Sequence, residues 1–168
     1  MQFVLKEWSA DLAPSLAETA DDLRIAKWLR DVFPHPYVRE DADAFIAFAS
    51  AENARGEWYR AVVAEGRAVG GVAVTRGQDV AKRSGELGYW LAPAYWGKGV
   101  MTEAVGRLCA QVFAESDLVR IFAEPFADNA ASCRVLEKCG FSLEGTLRKS
   151  VWKGGAFHDA RLYALIKE

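Results

Sequence analysis

The chain has 168 residues, of which 51% are hydrophobic and 26% are charged, and its formal net charge is −2. This length suits one domain with a buried core, and we expect a single domain over residues 1–168. The small net charge excludes a protein built to coat nucleic acid or an anionic membrane. No apolar run approaches the ~20 residues of a membrane span, and the charged N-terminus does not resemble a secretory segment, so we expect a cytoplasmic protein.

The first half of the chain alternates strand and helix patterns. Hydrophobic periodicity predicts a strand over residues 2–8, helices over 11–20 and 21–30, and a further helix over 41–55. Two prolines in the segment 33–37 predict a loop there, because each fixes its own φ and disfavours helix in the residue before it. Strands over 57–65 and 67–76, on either side of Gly66, predict a hairpin.

The second half is organised around a strand that ends at Leu91, just before Pro93. A glycine loop and a helix from about 98 to 115 follow it. A short strand over 119–124 precedes a helix over 129–139, which Asp128 or Asn129 caps. Strands over 141–152 and 157–166 complete the chain. The order predicts an α/β protein with a mixed sheet that is covered by helices.

Strand, glycine loop and helix together form a geometry that holds phosphate. The loop is Gly97-Lys98-Gly99. A Walker loop is excluded, because Gly99 and not Ser or Thr follows Lys98. A dinucleotide fingerprint is excluded because Thr102 stands at the third glycine. The pattern predicts a phosphate loop of another kind.

The cysteines and histidines do not favour a metal site. Three cysteines, Cys109, Cys133 and Cys139, show no C-x-x-C spacing, and the chain has only two histidines, His35 and His158. We therefore expect neither a disulfide framework nor a bound metal.

The window Trp96-Gly97-Lys98-Gly99-Val100-Met101 resembles the pyrophosphate loop of the GNAT N-acetyltransferases, Gln/Arg-x-x-Gly-x-Gly/Ala, which follows a strand carrying a glutamate. Trp96 at its head is similar to the RimJ/RimL branch, the acetyltransferases of ribosomal-protein N-termini. Met101 departs from the small residue usual at the last position. The resemblance covers nearly the whole chain and is strongest from 85 to 141.

This resemblance implies a GNAT-like sheet of about seven strands, mostly antiparallel, splayed between strands 4 and 5 and flanked by helices. It also implies acetyl-CoA as co-substrate, with its pantetheine arm between the splayed strands. Its implied cofactor contacts are Trp90, Leu91, Trp96, Gly97, Lys98, Gly99, Val100, Met101, Thr102, Asn129 and Ser132.

Two catalytic residues follow from the same resemblance. Glu86 is the expected base that deprotonates the amine, although it could instead be a strand-end glutamate paired with a lysine or arginine. Many family members use a tyrosine seven residues after the helix asparagine as the acid, but Leu136 stands there. Ser132 fits the RimL-like alternative, in which a serine lies beside the sulfur, and it could also be an ordinary first-turn serine. Asn129 could equally be only a helix cap.

Acceptor-side residues carry the weakest sequence signal. The loop 33–37 is of the kind that holds binding residues, and the last hairpin could line the same cleft. The expected substrate-binding residues are Phe33, His35, Tyr37, Arg148 and Tyr163.

The sequence therefore predicts an acetyl-CoA-dependent N-acetyltransferase that acts directly on a primary amine. The acceptor is either a protein N-terminal α-amine or a small molecule, with no nucleic-acid or membrane partner, and the protein is a monomer or homodimer. A different class of function is a non-catalytic acyl-CoA-binding sensor that retains the loop.

Overall fold

A seven-stranded sheet forms the centre of the computed structural model, which describes residues 1–168. Its spatial order is β1-β2-β3-β4-β5-β7-β6. The strands are β1 Val4–Glu7, β2 Trp58–Ala64, β3 Arg67–Arg76, β4 Ser84–Leu91, β5 Arg120–Ala123, β6 Ser142–Lys153 and β7 Ala156–Ile166.

Every neighbouring pair in the sheet is antiparallel except β4 and β5, which run parallel. The parallel pairing is short and ends where Glu86 lies opposite Phe122. Beyond Glu86, β4 continues to Leu91 paired only with β3. A gap therefore opens between β4 and β5, and the predicted mixed, mostly antiparallel, splayed sheet is confirmed.

Five helices cover the two faces of this sheet: α1 Ala13–Ala20, α2 Leu23–Ala26, α3 Arg39–Ala54, α4 Val100–Glu115 and α5 Ala130–Lys138. One buried cluster packs α4 and α5 against one face, with Val105, Leu108 and Leu136 at its centre. A second cluster packs α1 and α3 against the other face, through residues such as Leu16 and Ile46. Apolar burial on both faces holds the layers together.

The prediction of a helix over residues 21–30 is wrong in its length. Only Leu23–Ala26 is α-helical. The turns that follow are closed by backbone hydrogen bonds between residues three positions apart, such as that from the Trp28 N–H to the Ile25 carbonyl. The reason is tertiary, because Trp28 packs edge-on against Phe126 at 5.8 Å between ring centroids. Leu23, the first residue of α2, is 59% exposed.

Candidate active site

The loop between β4 and α4 presents a row of unpartnered backbone donors. The backbone N–H groups of Gly97–Thr102 donate no hydrogen bond within the chain, and the first bond of the helix end runs from Glu103 to the Gly99 carbonyl. Gly99 caps the helix with φ at 75°, and a Cβ there would meet nothing within 4 Å. Open donors at a helix N-terminus suit a phosphate group.

The side chains of the loop differ in their surroundings: one bonds to β4, one is exposed to solvent, and two are buried in the core. Trp96 donates its indole Nε1–H to the Leu91 carbonyl at 2.7 Å, which fixes the loop to the end of β4. Lys98 is exposed, with its Nζ 5.7 Å from the centre of the Tyr95 ring. Val100 and Met101 bury their side chains in the core, so only their backbone groups face a ligand. Met101 therefore departs from the family spelling without obstructing the loop.

The backbone of β4 places alternate residues at the gap. Ala92 donates its N–H to the Val69 carbonyl of β3, so the backbone of Trp90, two residues earlier, also turns towards β3. The backbone groups of Tyr89 and Leu91 then face the gap. Trp90 and Leu91 were the strand residues predicted to offer their backbone to the cofactor arm; the backbone of Leu91 faces the gap, whereas that of Trp90 turns away from it towards β3.

Ser132 is fixed by three contacts at the start of α5. Asn129 caps the helix, and its Oδ1 accepts the Ser132 N–H at 3.3 Å. The Tyr89 hydroxyl oxygen lies 2.6 Å from Ser132 Oγ, and its O–H also reaches the Ser132 carbonyl at 3.0 Å. Sequence reasoning missed Tyr89. No sequence pattern indicated which part of α5 it would meet.

Glu86 is ion-paired across the cleft. Its Oε1 lies 2.8 Å from Nη2 of Arg30, and the two side chains are 30% and 76% exposed respectively. The pairing with an arginine, which the sequence left open, is thus present. Arg30 was also missed, since it is 56 positions away and follows a helix whose end was misplaced.

The two predicted catalytic residues approach the gap from opposite faces of the sheet. Glu86 shares its face of β4 with Trp90, which packs against the cluster of α1 and α3. Tyr89, Leu87 and Leu91 turn to the cluster of α4 and α5, where Ser132 lies. A ligand that contacts both sides of this site must pass through the opening between β4 and β5.

An aromatic group lies on the Glu86 side. Phe33 packs against Trp90 at 5.7 Å and against Tyr37 at 5.1 Å between ring centroids. Tyr37 is only 5% exposed and thus supports Phe33 rather than facing the cleft, which corrects its predicted role. Phe33 and His35 line a cavity of about 240 Å³ next to this group, together with Leu23, Ala26, Lys27, Asp31 and Lys153.

Two predicted acceptor residues lie elsewhere. Tyr163 is 1% exposed and donates its hydroxyl to Glu137 Oε1 at 3.0 Å, so the prediction that it lines an open cleft is wrong. Arg148 is exposed at an irregularity of β6 and lines a separate shallow depression together with Asp159. The structure does not bring either of them to the aromatic group.

Two weakly acidic side chains, Tyr89 and Cys109, have raised pKa values and are therefore held in their neutral forms. Burial raises the pKa of the Tyr89 phenol well above its usual range, and it raises the pKa of the Cys109 thiol to about 12.

No cluster of three or more histidine, cysteine, aspartate and glutamate side chains is suited to a metal ion. None of the helices combines the length and apolar character required to cross a bilayer.

Comparison with known proteins decides the family. The family model described as "Acetyltransferase (GNAT) domain" matches residues 2–142. The chain belongs to the GNAT acetyltransferase family. GNAT enzymes use acetyl-CoA as the acetyl donor, and the open amides of the loop are suited to its pyrophosphate.

Two relatives and one solved structure illustrate the similarity. The chain is 36% identical over 85 residues to Uncharacterized N-acetyltransferase YoaA of Bacillus subtilis (strain 168). The matched residues make up 51% of this chain and 48% of that relative. It is 32% identical over 84 residues to the ribosomal-protein-serine acetyltransferase of Escherichia coli (strain K12), covering 50% and 47%. The matched region thus spans about half the length of these curated relatives.

The fold is shared with RimL, the ribosomal L7/L12 α-N-protein acetyltransferase, solved in complex with coenzyme A. The TM-score is 0.89 at 20% identity, over 99% of this chain and 95% of that chain. This likeness confirms the GNAT fold.

Proposed function

We propose that this protein transfers the acetyl group of acetyl-CoA directly to a primary amine. The observation that carries the proposal is the opening between β4 and β5, with Glu86 on one face and Ser132 on the other. A thioester in that opening would present its carbonyl carbon to the Glu86 side and its sulfur to the Ser132 side. The free backbone N–H groups of the loop that follows β4 would bind the pyrophosphate of the same acetyl-CoA.

Each residue then has a separate task. Glu86 takes a proton from the acceptor ammonium, directly or through water, because only the neutral amine attacks. Backbone groups of Tyr89 and Leu91 face the gap and supply donors to the oxyanion that forms on the carbonyl. As the C–S bond breaks, the electron pair goes to sulfur, and the Ser132 hydroxyl donates a hydrogen bond to the thiolate. A thiol has a pKa near ~8.5, so this group leaves readily.

The proposed acceptor is a protein N-terminal α-amine. The printed names of the E. coli relative and of RimL describe acetylation of ribosomal proteins, which supports this class. An α-amine with pKa near ~7.7–8.0 is already partly neutral, so one partly exposed carboxylate is a sufficient base. The aromatic group of Phe33 and Trp90 provides apolar surface for the first side chain of a peptide.

An acetyl-CoA consumption screen tests the proposal. Peptides with free N-termini are compared with the same peptides blocked at the N-terminus, and with small alkyl amines. We expect turnover with free N-termini and none with blocked peptides of the same sequence. Turnover only with alkyl amines would contradict the acceptor class, and no turnover with any amine would contradict the enzyme.

The alternative, a sensor that binds acyl-CoA without transfer, is favoured by one observation. Arg30 forms an ion pair with one carboxylate oxygen of Glu86, the proposed base. Tight binding of acetyl-CoA with no acetyl transfer to any amine in the same screen would support the sensor.

A further inference from the structure

We infer that Tyr89 is a positioning residue that controls where the Ser132 hydroxyl directs its proton. The inference deepens the proposed function and rests on it, because the target of that proton is the sulfur of the acetyl donor. Tyr89 is on the strand that borders the gap, and Ser132 is in the first turn of α5.

The geometry gives the single phenolic proton two acceptors. The Tyr89 oxygen lies 3.0 Å from the Ser132 carbonyl and 2.6 Å from Ser132 Oγ. When Tyr89 donates to the carbonyl, Ser132 donates its own proton back to the phenol and has none to offer. When Tyr89 donates to Ser132 Oγ, the serine proton is free to turn to a ligand. Reorientation of the two O–H bonds thus separates an arrangement in which Ser132 donates to Tyr89 from one in which Ser132 can donate to a ligand.

The available arrangement is the one that helps the reaction. The amine nitrogen forms a bond to the thioester carbon, and the C–S bond breaks with its electron pair on sulfur. The Ser132 O–H donates to the sulfur while Ser132 Oγ accepts from Tyr89, which increases the donor strength of the serine. The thiolate takes its proton from water, and Glu86 returns the amine proton to solvent, so neither hydroxyl is consumed.

The surroundings keep the phenol able to donate. The other titratable groups that face Tyr89 are Cys133, Cys139 and Tyr163, and none of them is a carboxylate or a basic side chain. Burial raises the pKa of Tyr89, so no phenolate competes with the proposed donor below the alkaline range. The ring packs against the main core cluster, which limits its movement relative to α5.

A double-mutant cycle measures the coupling between the two hydroxyls. Tyr89→Phe retains the ring and removes only the hydroxyl. We expect kcat to fall about 2- to 12-fold, the range that one net hydrogen bond is worth, with little change in KM for acetyl-CoA. In the Ser132→Ala background the same change should alter kcat by less than about 2-fold, since the proposed target is gone.

The matched control is Tyr59→Phe. Tyr59 is also half-buried, and its hydroxyl bonds to another hydroxyl, Thr75 Oγ1, at 3.1 Å. It lies on β2, so its loss should leave kcat unchanged. An equal fall in kcat for Tyr89→Phe with and without Ser132 would overturn the inference. It would mean that Tyr89 acts through the Ser132 carbonyl and the position of the helix.

A second measurement needs no acceptor amine. The thiol of bound coenzyme A is titrated by the ultraviolet absorbance of its thiolate, with the complex of desulfo-coenzyme A as the blank. We expect the thiol to titrate at higher pH in Tyr89→Phe and in Ser132→Ala than in the wild type and in Tyr59→Phe. Identical titrations in all four proteins would overturn the inference while leaving the proposed function intact. Failure of the wild type to bind coenzyme A would remove both.

Discussion

Arg30 Nη2 lies 2.8 Å from Glu86 Oε1 and joins the segment after α2 to the central strand of the sheet. The contact uses one carboxylate oxygen, and both side chains retain exposed surface. Exposed ion pairs of this kind contribute about 0–1 kcal/mol, so an incoming ammonium can compete with the guanidinium. The pair is therefore compatible with a base that is held in place until the acceptor arrives.

Replacement of Glu86 by Gln should lower turnover strongly near neutral pH. The amide retains size and hydrogen bonding but is not basic, and general-base assistance is worth about 10²–10⁴-fold. The loss should shrink as pH rises, because more of the acceptor amine is then already neutral. Turnover should recover at lower pH for an α-amine, with pKa near ~7.7–8.0, than for an alkyl amine, with pKa near ~10.4. A pH–rate profile at saturating acetyl-CoA measures both effects.

The control for this variant is Glu144→Gln, since Glu144 is also ion-paired with an arginine, Arg120, on the surface of β6. It should retain wild-type turnover. Normal turnover of Glu86→Gln at every pH would make Glu86 a structural residue.

Replacement of Gly99 by Asp should abolish acetyl-CoA affinity while the fold survives. The new carboxylate would stand at the start of α4, where the free amides attract a negatively charged group. Gly66→Asp is the matched control, because Gly66 has the same φ of 75° and equally open surroundings in the β2–β3 hairpin. Calorimetric titration with acetyl-CoA distinguishes the two, and equal affinity in both variants would place the pyrophosphate elsewhere.

Asn129→Ala tests whether one amide has two roles. Loss of the cap on the Ser132 N–H should lower the free energy of unfolding by about 0.5–2 kcal/mol, measured by urea denaturation. If the side chain also binds the pantetheine arm, acetyl-CoA affinity should fall as well. Asp22→Ala removes the cap of α2 and should leave that affinity unchanged. Unchanged affinity in Asn129→Ala would reduce Asn129 to a cap.

Stability should fall at alkaline pH. Burial raises the folded-state pKa of Cys109 to about 12 and raises that of Tyr89, whereas their unfolded values are near ~8.5 and ~10. Ionisation is therefore easier in the unfolded chain. The contribution of these groups to the free energy of unfolding is fully present below pH ~8.5 and is lost as pH rises towards their folded-state pKa values. Urea unfolding across this range should show the loss, and Cys109→Ala should reduce it. A constant free energy of unfolding through the alkaline range would contradict the prediction.

Local pattern was sufficient for the loop and for the faces of the central strand. Gly97 and Gly99 with the helix behind them predicted free backbone donors, which depend only on adjacent residues. The faces of β4 likewise depend only on local geometry, because a side-chain period of two places Glu86 and Tyr89 on opposite sides of the strand. The GNAT fold and its splay came from the resemblance and not from composition.

The pairing of distant side chains was decided only by the tertiary structure. Ser132 meets Tyr89 across 43 positions, and Glu86 meets Arg30 across 56, and no local preference specifies either pair. Tyr163 shows the same limit, since a tyrosine on a terminal strand carries no sign of whether packing will bury it. The sequence determined which groups are available along each element. Packing of α5 and of the segment after α2 against the sheet determined which of them meet at the gap.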